Sequence, residues 1–330
     1  TPSPLRREPP CPFFGTCGGC QWQHIPYPEQ TRWKEKIFGD MMVRNQVVAA
    51  DRLKPIVPAP DEWHYRNRVQ LKCHLSAQGL DVGFYRQGSH QVVDIDRCLL
   101  VASPIQKMFD LLRDELTGLP FPDSVVQIDL ACGDDGAVRA VFHLRQQGNK
   151  QLISWIEAFA RDHQLNALVL CDHKGPHELV HGERDLTIKV DKPEISLRYA
   201  PGGFVQVNSA QNRLMLAGLM ELLALKGTET IMDLFCGMGN FSLPMARRAE
   251  RVTGVEDSAS SITSARLNAA ANNVSNVEFY SADAAHLLTR HQFQEPPDIV
   301  LLDPPRTVNY RVMKELARLG PERILYVSCD

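Results

Sequence analysis

Asp233-Leu-Phe-Cys-Gly-Met-Gly-Asn-Phe241 is the stretch on which the fold of this chain turns. It ends an apolar run, Thr230–Phe235, that reads as a strand, and it opens Phe241–Ala249, which has helical spacing. Gly237 and Gly239 permit the tight turn between the two and let the backbone approach a ligand closely. Alone, a G-x-G is a weak signal: a strand–turn–helix corner can need two glycines for structure only, and the third glycine of a dinucleotide fingerprint is missing.

The surroundings strengthen it. A helix is expected over Gln211–Leu225, before the turn. After it come a strand at Arg251–Glu256, a helix at Ser258–Asn272, strands at Val277–Ser281 and Asp298–Leu302, a helix at Tyr310–Leu319 and a strand at Arg323–Ser328. Strands that alternate with helices predict an α/β domain on a doubly wound, mainly parallel sheet. Such sheets bind ligands beyond the carboxyl ends of their strands, and the polar motifs fall there. Glu256 ends the second strand, where a carboxylate can accept hydrogen bonds from both hydroxyls of a ribose. Asp283, after the third, is placed to take an adenine amino group. The ligand implied is an adenosine without pyrophosphate, and Asp233 beside a short glycine turn suits a sulfonium-bearing amino acid better than a phosphate.

The fourth strand ends in Asp303-Pro-Pro-Arg306 and the fifth in Ser328-Cys329. Two prolines hold the preceding Asp rigidly, because each fixes its own φ and restricts the residue before it. A Cys after a buried strand is usually a small apolar residue. Position argues otherwise here, since Cys329 and Asp303 share the sheet edge that carries the glycine turn.

Residues 1–202 differ in character. The first ten hold four prolines and read as extended or disordered. A helix is expected over Glu29–Val48. Val69, Leu71, Cys73 and Leu75 alternate with polar residues as in a half-buried strand, and Gly83-Phe-Tyr-Arg86 and Gln91-Val-Val-Asp-Ile95 read as further strands. Ser103–Thr117 returns to helical spacing, with Ser103 as N-cap and Pro104 at the first helical position. Strands follow at Val125–Ala131, Ala137–Leu144 and Ala167–Cys171. The expectation is an α+β domain with a mainly antiparallel sheet over residues 1–202, and an α/β domain over residues 203–330.

Composition narrows the classes. The chain has 330 residues, 23% of them charged, as in an ordinary globular protein. Its apolar runs are too short to span a bilayer, so no membrane partner is expected, and its N-terminus lacks the apolar stretch of a secretory signal. Net charge is −3, but residues 1–100 carry thirteen Lys/Arg against ten Asp/Glu, so the N-terminal part can face a nucleic acid. Trp22, Trp33, Trp63, Tyr65, Arg66, Arg68, Tyr85 and Arg86 form a group suited to stacking on unpaired bases and meeting phosphates. Nine cysteines are present, and three lie within ten residues, Cys11-Pro-Phe-Phe-Gly-Thr-Cys17-Gly-Gly-Cys20. That crowding suits a metal or cluster in a reducing cytoplasm better than a secreted disulfide framework. Three thiolates want a fourth ligand. Cys73 reads as core, Cys132 and Cys171 end strands without cluster neighbours, and Cys98, in a turn, is the best candidate. Four thiolates suit zinc as well as iron–sulfur.

Together, Asp233–Phe241, Asp303-Pro-Pro-Arg306, Tyr326-Val-Ser-Cys329 and Phe204-Val-Gln-Val-Asn208 resemble the RNA 5-methyluridine (uracil-C5) methyltransferases, in order and over nearly the whole chain. The resemblance implies a Rossmann-like S-adenosylmethionine-dependent methyltransferase domain preceded by an iron–sulfur and RNA-binding domain. It implies that Gln206, Phe235, Gly237, Asn240, Glu256, Asp283 and Asp303 line the cofactor and target-base pocket, and that Cys329 is the nucleophile. Cys-x5-Cys-Gly-Gly-Cys with Gln23-His24 and a distant fourth cysteine resembles the members that carry a [4Fe–4S] cluster, the ribosomal RNA type, so Cys11, Cys17, Cys20 and Cys98 are its expected ligands. The expected partner is RNA, ribosomal before transfer, with no obligate protein partner in evidence. The family carries its general base, a glutamate, in a segment beyond the position of Asp330, so residues 203–330 are expected to be a C-terminally incomplete methyltransferase domain, and the frequent N-terminal RNA-binding β-barrel has no counterpart here.

The chemistry accounts for a cysteine. C5 of uracil is a poor nucleophile, and a thiolate adding to C6 places electron density on C5. C5 can then take a methyl group, after which the C5 proton and the thiolate leave. Asp303 would orient the ring, Arg306 would approach the RNA backbone, and the uridine must be flipped out to reach the site. Three other readings compete. An RNA cytosine-5 methyltransferase shares the covalent logic, but its Pro-Cys or Thr-Cys-Ser context is absent. An amino-directed methyltransferase has an aromatic residue after Asp/Asn-Pro-Pro, where Arg306 stands. The last is an inactive, metal-binding RNA-binding protein on the same fold, against which the set Gln206, Asp303 and Cys329 speaks.

Overall fold

The computed structural model describes residues 3–146, 149–172, 175–290, 296–305 and 310–328. Arg306 and Cys329 lie outside them. The chain divides into two units, one of Thr1–Cys132 with Gly136–Arg184, the other of Gly133–Asp135 with Asp185–Asp330.

The first unit begins with α1 (Tyr27–Arg44), which buries none of its residues. There follow β1 (Arg68–Ser76), β2 (Gly79–Tyr85), β3 (Val92–Asp94), α2 (Ser103–Glu115), β4 (Val125–Cys132), β5 (Val138–Leu144), α3 (Lys150–Asp162), β6 (Asn166–Cys171) and β7 (Glu178–His181). The strands form one seven-stranded sheet in the order β3-β2-β1-β4-β5-β6-β7. It is antiparallel throughout except for β5–β6, which run parallel. A parallel pair needs a crossover, and α3 supplies it. Asn149 caps α3 by accepting from the Leu152 N–H at 2.8 Å, and Leu152, Ile156 and Phe159 recur at helical spacing on its buried side. They join Ile105, Met108, Phe109 and Leu112 of α2 and Leu71, Ile128, Leu130 and Phe142 of the sheet in one core. On the other face, Val141 joins Leu168 and Leu170 in a small apolar cluster, and the neighbouring positions of β1 and β4 are polar. Gln70 lies opposite Asp129, and Gln127 lies between Lys72 and His143. They form a cross-strand chain in which Lys72 meets Gln127, and His143 stands 3.3 Å from Asp129.

The second unit starts with a hairpin of β8 (Leu186–Val190) and β9 (Ile195–Tyr199). Then come α4 (Ser209–Leu223), β10 (Thr230–Leu234), α5 (Ser242–Ala246), β11 (Arg251–Glu256), α6 (Ala259–Ala271), β12 (Val277–Ser281), α7 (Ala284–Arg290), β13 (Ile299–Leu302), α8 (Tyr310–Leu319) and β14 (Arg323–Tyr326). Five strands pair in parallel in the order β12-β11-β10-β13-β14, which is the expected doubly wound sheet. Strands buried on both faces read as continuous apolar runs, and all four residues of β13 are buried. Strand order reverses at β10, and in sheets of this kind the ligand crevice lies beyond the carboxyl end at such a reversal.

The structure departs from expectation in several places. The sequence reading placed the boundary between domains at 202/203, whereas contacts divide at Arg184/Asp185. The reason is the β8–β9 hairpin, a part of the chain the strand reading passed over. Asn268 of α6 accepts from the Arg198 N–H at 2.8 Å and donates to its carbonyl at 3.1 Å, and Asn272 does the same for Ser196. Asp134 bonds to the hairpin too, which draws residues 133–135 into the second unit. α3 and α7 were likewise unforeseen. α1 ends at Arg44, where Val48 was expected. α2 starts with Ser103 already helical, so Ala102 and not Ser103 is its cap residue.

Candidate active site

Three strand ends and one turn build the crevice. After β10 the chain enters the glycine turn through Phe235, whose φ of +65° is left-handed, a conformation that strains a bulky residue and marks an over-determined corner. Gly237 and Gly239 follow at φ +55° and +94°. A Cβ on Gly239 would sit 3.2 Å from Leu243, so this glycine is required by conformation and by contact. A Cβ on Gly237 would meet nothing within 4 Å, so this side of the turn is open. The turn is tied down by Cys236 N–H to Val255 carbonyl (3.0 Å), Gly239 N–H to Cys236 carbonyl (3.0 Å) and Asn268 to the Met238 carbonyl (3.2 Å).

Glu256, at the end of β11, accepts from the Gly237 N–H through Oε2 (3.3 Å) and from the Ser258 N–H through Oε1 (3.0 Å). These bonds fix the carboxylate at the mouth of the turn and leave each oxygen a lone pair. Burial and Asp257 push its acidity weaker than usual, against the pull of those N–H groups. Asp303 follows β13, half-buried, its N–H reaching the Leu234 carbonyl at 3.4 Å. Burial raises it. Asp233, on β10, is fully buried, and Ser242 Oγ donates to its Oδ2 at 2.5 Å. Its Oδ1 has no hydrogen-bond partner among the described residues. Burial, then the charges of Asp303 and Glu256, push Asp233 up to about 7, while Ser242 pulls the other way. Cys236 is driven far up by burial beside the same carboxylates and is an inert neutral thiol.

The remaining expected residues find structural partners. Asn240 exchanges two amide hydrogen bonds with Asn212 of α4, at 2.8 and 3.1 Å. Asn208 caps α4 by accepting from the Gln211 N–H at 2.9 Å, and half-buried Gln206 stands just before it. Phe204 is 72% exposed. Asp283 caps α7, its Oδ1 accepting from the His286 N–H at 2.7 Å, and its other oxygen is the one left for a ligand to take whole. Cys329, three residues past β14, lies outside the described residues. Asn212, Ser242 and Asn268, which hold the turn and its carboxylate, escaped the sequence reading. An Asn spaced four residues from an N-cap Asn was the one available signal for the first.

These groups fit S-adenosylmethionine: an open glycine turn, a buried carboxyl with an unpartnered oxygen, and a fixed carboxylate at the end of the neighbouring strand.

In the first unit the Cys11–Cys20 loop is closed by Phe14 N–H to Cys11 carbonyl and Cys17 N–H to Phe13 carbonyl. Gly18 packs so tightly that a Cβ there would stand 2.9 Å from the Tyr85 carbonyl oxygen. Burial raises the thiols of Cys17 and Cys20 and pushes Cys98 up to about 11. Cys11 and Cys20 bear electrostatically on Cys17 and on Cys98, so the four thiols share one neighbourhood. Backbone N–H groups aim at sulfur: Gly19 at Cys17 (3.4 Å), and Leu100 and Val101 at Cys98. Among the described residues no three Cys, His, Asp or Glu stand close enough to hold an ion as they are placed. Cys73 packs against the core, as expected. Of the basic and aromatic group, Trp63, Trp22, Trp33 and Tyr85 each lie under a cation from outside it, Arg7, Lys34, Arg32 and Lys72 in turn, with 5.4–5.8 Å to the ring centres.

The sequence profile of the family described as tRNA (Uracil-5-)-methyltransferase matches residues 40–330. The 23S rRNA (uracil(1939)-C(5))-methyltransferase RlmD of Shewanella amazonensis (strain ATCC BAA-1098 / SB2B) is 36% identical over 332 residues, which span 99% of this chain and 74% of that protein. The protein of the same description from Shewanella baltica (strain OS195) is 35% identical over 338 residues, 100% of this chain and 74% of that one. Among solved structures, the Pyrococcus abyssi tRNA (uracil-54, C5)-methyltransferase in complex with S-adenosyl-L-homocysteine superposes with a TM-score of 0.75 at 23% identity, over 99% of this chain and 77% of that one. At that identity the likeness is one of fold.

Proposed function

Since the chain belongs to the RNA uracil-5-methyltransferase family, we propose that it methylates C5 of a uridine in 23S ribosomal RNA, with S-adenosylmethionine as methyl donor. The observation that carries this reading is the crevice at β10, where Glu256, Asp303 and the glycine turn converge on one sheet edge. Full-length similarity to relatives named for 23S RNA favours ribosomal over transfer RNA.

Bound S-adenosylmethionine supplies an electrophilic methyl group. Glu256 would hold the ribose hydroxyls, the Phe235–Asn240 turn the methionine end, Gln206 and Asp303 the space between cofactor and base, and Asp283, through its free oxygen, the adenine. The thiolate of Cys329 would add to C6 of the uridine, C5 would take the methyl group as its bond to the sulfonium sulfur breaks and leaves a neutral thioether, and transfer of the C5 proton to a base would expel the thiolate. Asp303, held by Pro304 and Pro305, orients the ring edge while charge redistributes. Phe204 and the aromatic–cation pairs of the first unit would receive unstacked bases.

Cys11, Cys17, Cys20 and Cys98 would hold a [4Fe–4S] cluster, which ties the N-terminal loop to the Cys98 turn. The donor set fits, since N–H groups directed at sulfur stabilise thiolates. Anaerobic reconstitution with iron and sulfide should give a chromophore with bound iron that Cys98→Ser loses. A colourless chain that instead holds zinc through the same residues would assign a zinc site. Unpaired thiols of this kind suit a reducing cytoplasm. Among the described residues no helix is long and apolar enough to cross a membrane.

The test of function is nucleoside analysis after incubation with labelled S-adenosylmethionine and unmodified 23S RNA. Label in 5-methyluridine at one position is expected. Label in 5-methylcytidine, or none, would overturn the proposal.

A further inference from the structure

Asp233 is a costly residue. A carboxylate fully removed from water is unfavourable unless a charge or several donors meet it. The donors that meet Asp233 come from one residue, Ser242, through its Oγ at 2.5 Å and its backbone N–H, and the Asp233 Oδ1 has no partner among the described residues. The charged groups that bear on it worsen matters: Asp303 at the end of β13 and Glu256 at the end of β11 are both carboxyls. Cys236, on the same turn, stays a neutral thiol, and α5 contributes the hydroxyl and the backbone N–H of Ser242 but no positive charge. A fully buried carboxyl beside two others cannot stay ionised cheaply.

The ligand of this crevice changes charge during the reaction. S-adenosylmethionine carries a carboxylate, an ammonium and a sulfonium, so +1 overall. S-adenosylhomocysteine has lost the sulfonium charge with the methyl group and is neutral overall.

We infer that Asp233 is a charge-matching positioning residue, neutral without cofactor, which releases its proton to solvent when S-adenosylmethionine binds and regains one from solvent once methyl transfer has left the neutral product. The crevice thereby favours the donor over its own product. The inference rests on S-adenosylmethionine being the donor. Burial pushes the pKa of Asp233 up to about 7, which allows the exchange at working pH. Ser242 sets where it occurs, because its O–H bonds the ionised form more strongly than the neutral one.

Titration calorimetry of the whole chain tests this in two buffers of different ionisation enthalpy, with S-adenosylmethionine and with S-adenosylhomocysteine. Proton release with the first and less with the second is expected. Affinity for the donor should rise by about tenfold per pH unit below pH 7 and level above it. Asp233→Asn should abolish the release and narrow the preference for donor over product, and Ser242→Ala should move the release to higher pH. Circular dichroism and retained product binding establish that each variant is folded. Equal proton release for both ligands, or release unchanged in Asp233→Asn, would overturn the inference. Absence of any heat with S-adenosylmethionine would instead strike at the donor assignment.

Discussion

Single residues carry much of the cofactor crevice. Glu256 is fixed by two backbone N–H groups and would take two ribose hydroxyls, so Glu256→Ala should weaken S-adenosylmethionine binding by about 10- to 100-fold, the loss of charge-assisted hydrogen bonds. Calorimetry reads this directly, and unchanged affinity would remove Glu256 from the site. Gly254 serves the same corner from below. A Cβ there would lie 2.5 Å from the Phe279 ring and 3.0 Å from Cys236 Sγ, both packed. Gly254→Ala should therefore cost about 1–3 kcal/mol of stability, seen as a lower urea midpoint. The crevice carboxyls were legible in the sequence because Glu256 and Asp303 each end an apolar run that reads as a strand and Asp233 opens the glycine turn motif at the end of another. The residues that hold them were not: Ser242 and Asn268 sit inside helices, where polar side chains usually face water, and only the tertiary fold turns them inward.

At the scale of elements, the β8–β9 hairpin is attached to α6 by side-chain amides that imitate strand partners. Asn268 satisfies both backbone groups of Arg198 and also the Met238 carbonyl of the glycine turn. Asn268→Ala should cost about 2–4 kcal/mol, because three backbone groups, one buried and two partly buried, lose their partner at once, and it should loosen cofactor binding through Met238. A loss of stability with cofactor affinity intact would show that the turn does not depend on this bond. The parallel sheet was legible because strands such as β13 are uniformly apolar and alternate with helices. The hairpin was not, because its five-residue strands lie between Pro and Gly punctuation and pair only with each other. The first unit's sheet was legible in its antiparallel part. The parallel β5–β6 pair went unseen with α3, although Asn149 and the spacing of Leu152, Ile156 and Phe159 carry an ordinary helix signal.

For the whole molecule, the three crevice carboxyls set a pH dependence. Asp233, Glu256 and Asp303 are all raised above their ordinary values. The unfolded chain gives up these protons in the usual carboxylate range, whereas the folded chain keeps that of Asp233 until about 7. The folded state thus binds more protons across that window, so stability falls as pH rises through it and levels off above. Asp233→Asn should flatten this slope in urea midpoints taken from acid to neutral pH, and an unchanged slope would place the titration elsewhere. The proposed chemistry itself depends on Cys329, outside the described residues, which makes a covalent probe the most direct test of the account. Ribosomal RNA carrying 5-fluorouridine at the target blocks the final elimination, since fluorine cannot leave C5 as a proton does. Incubation with S-adenosylmethionine should give a denaturation-resistant protein–RNA adduct on Cys329, absent in Cys329→Ala. A chain that binds both RNA and cofactor yet forms no adduct, or forms it equally in Cys329→Ala, would contradict the mechanism.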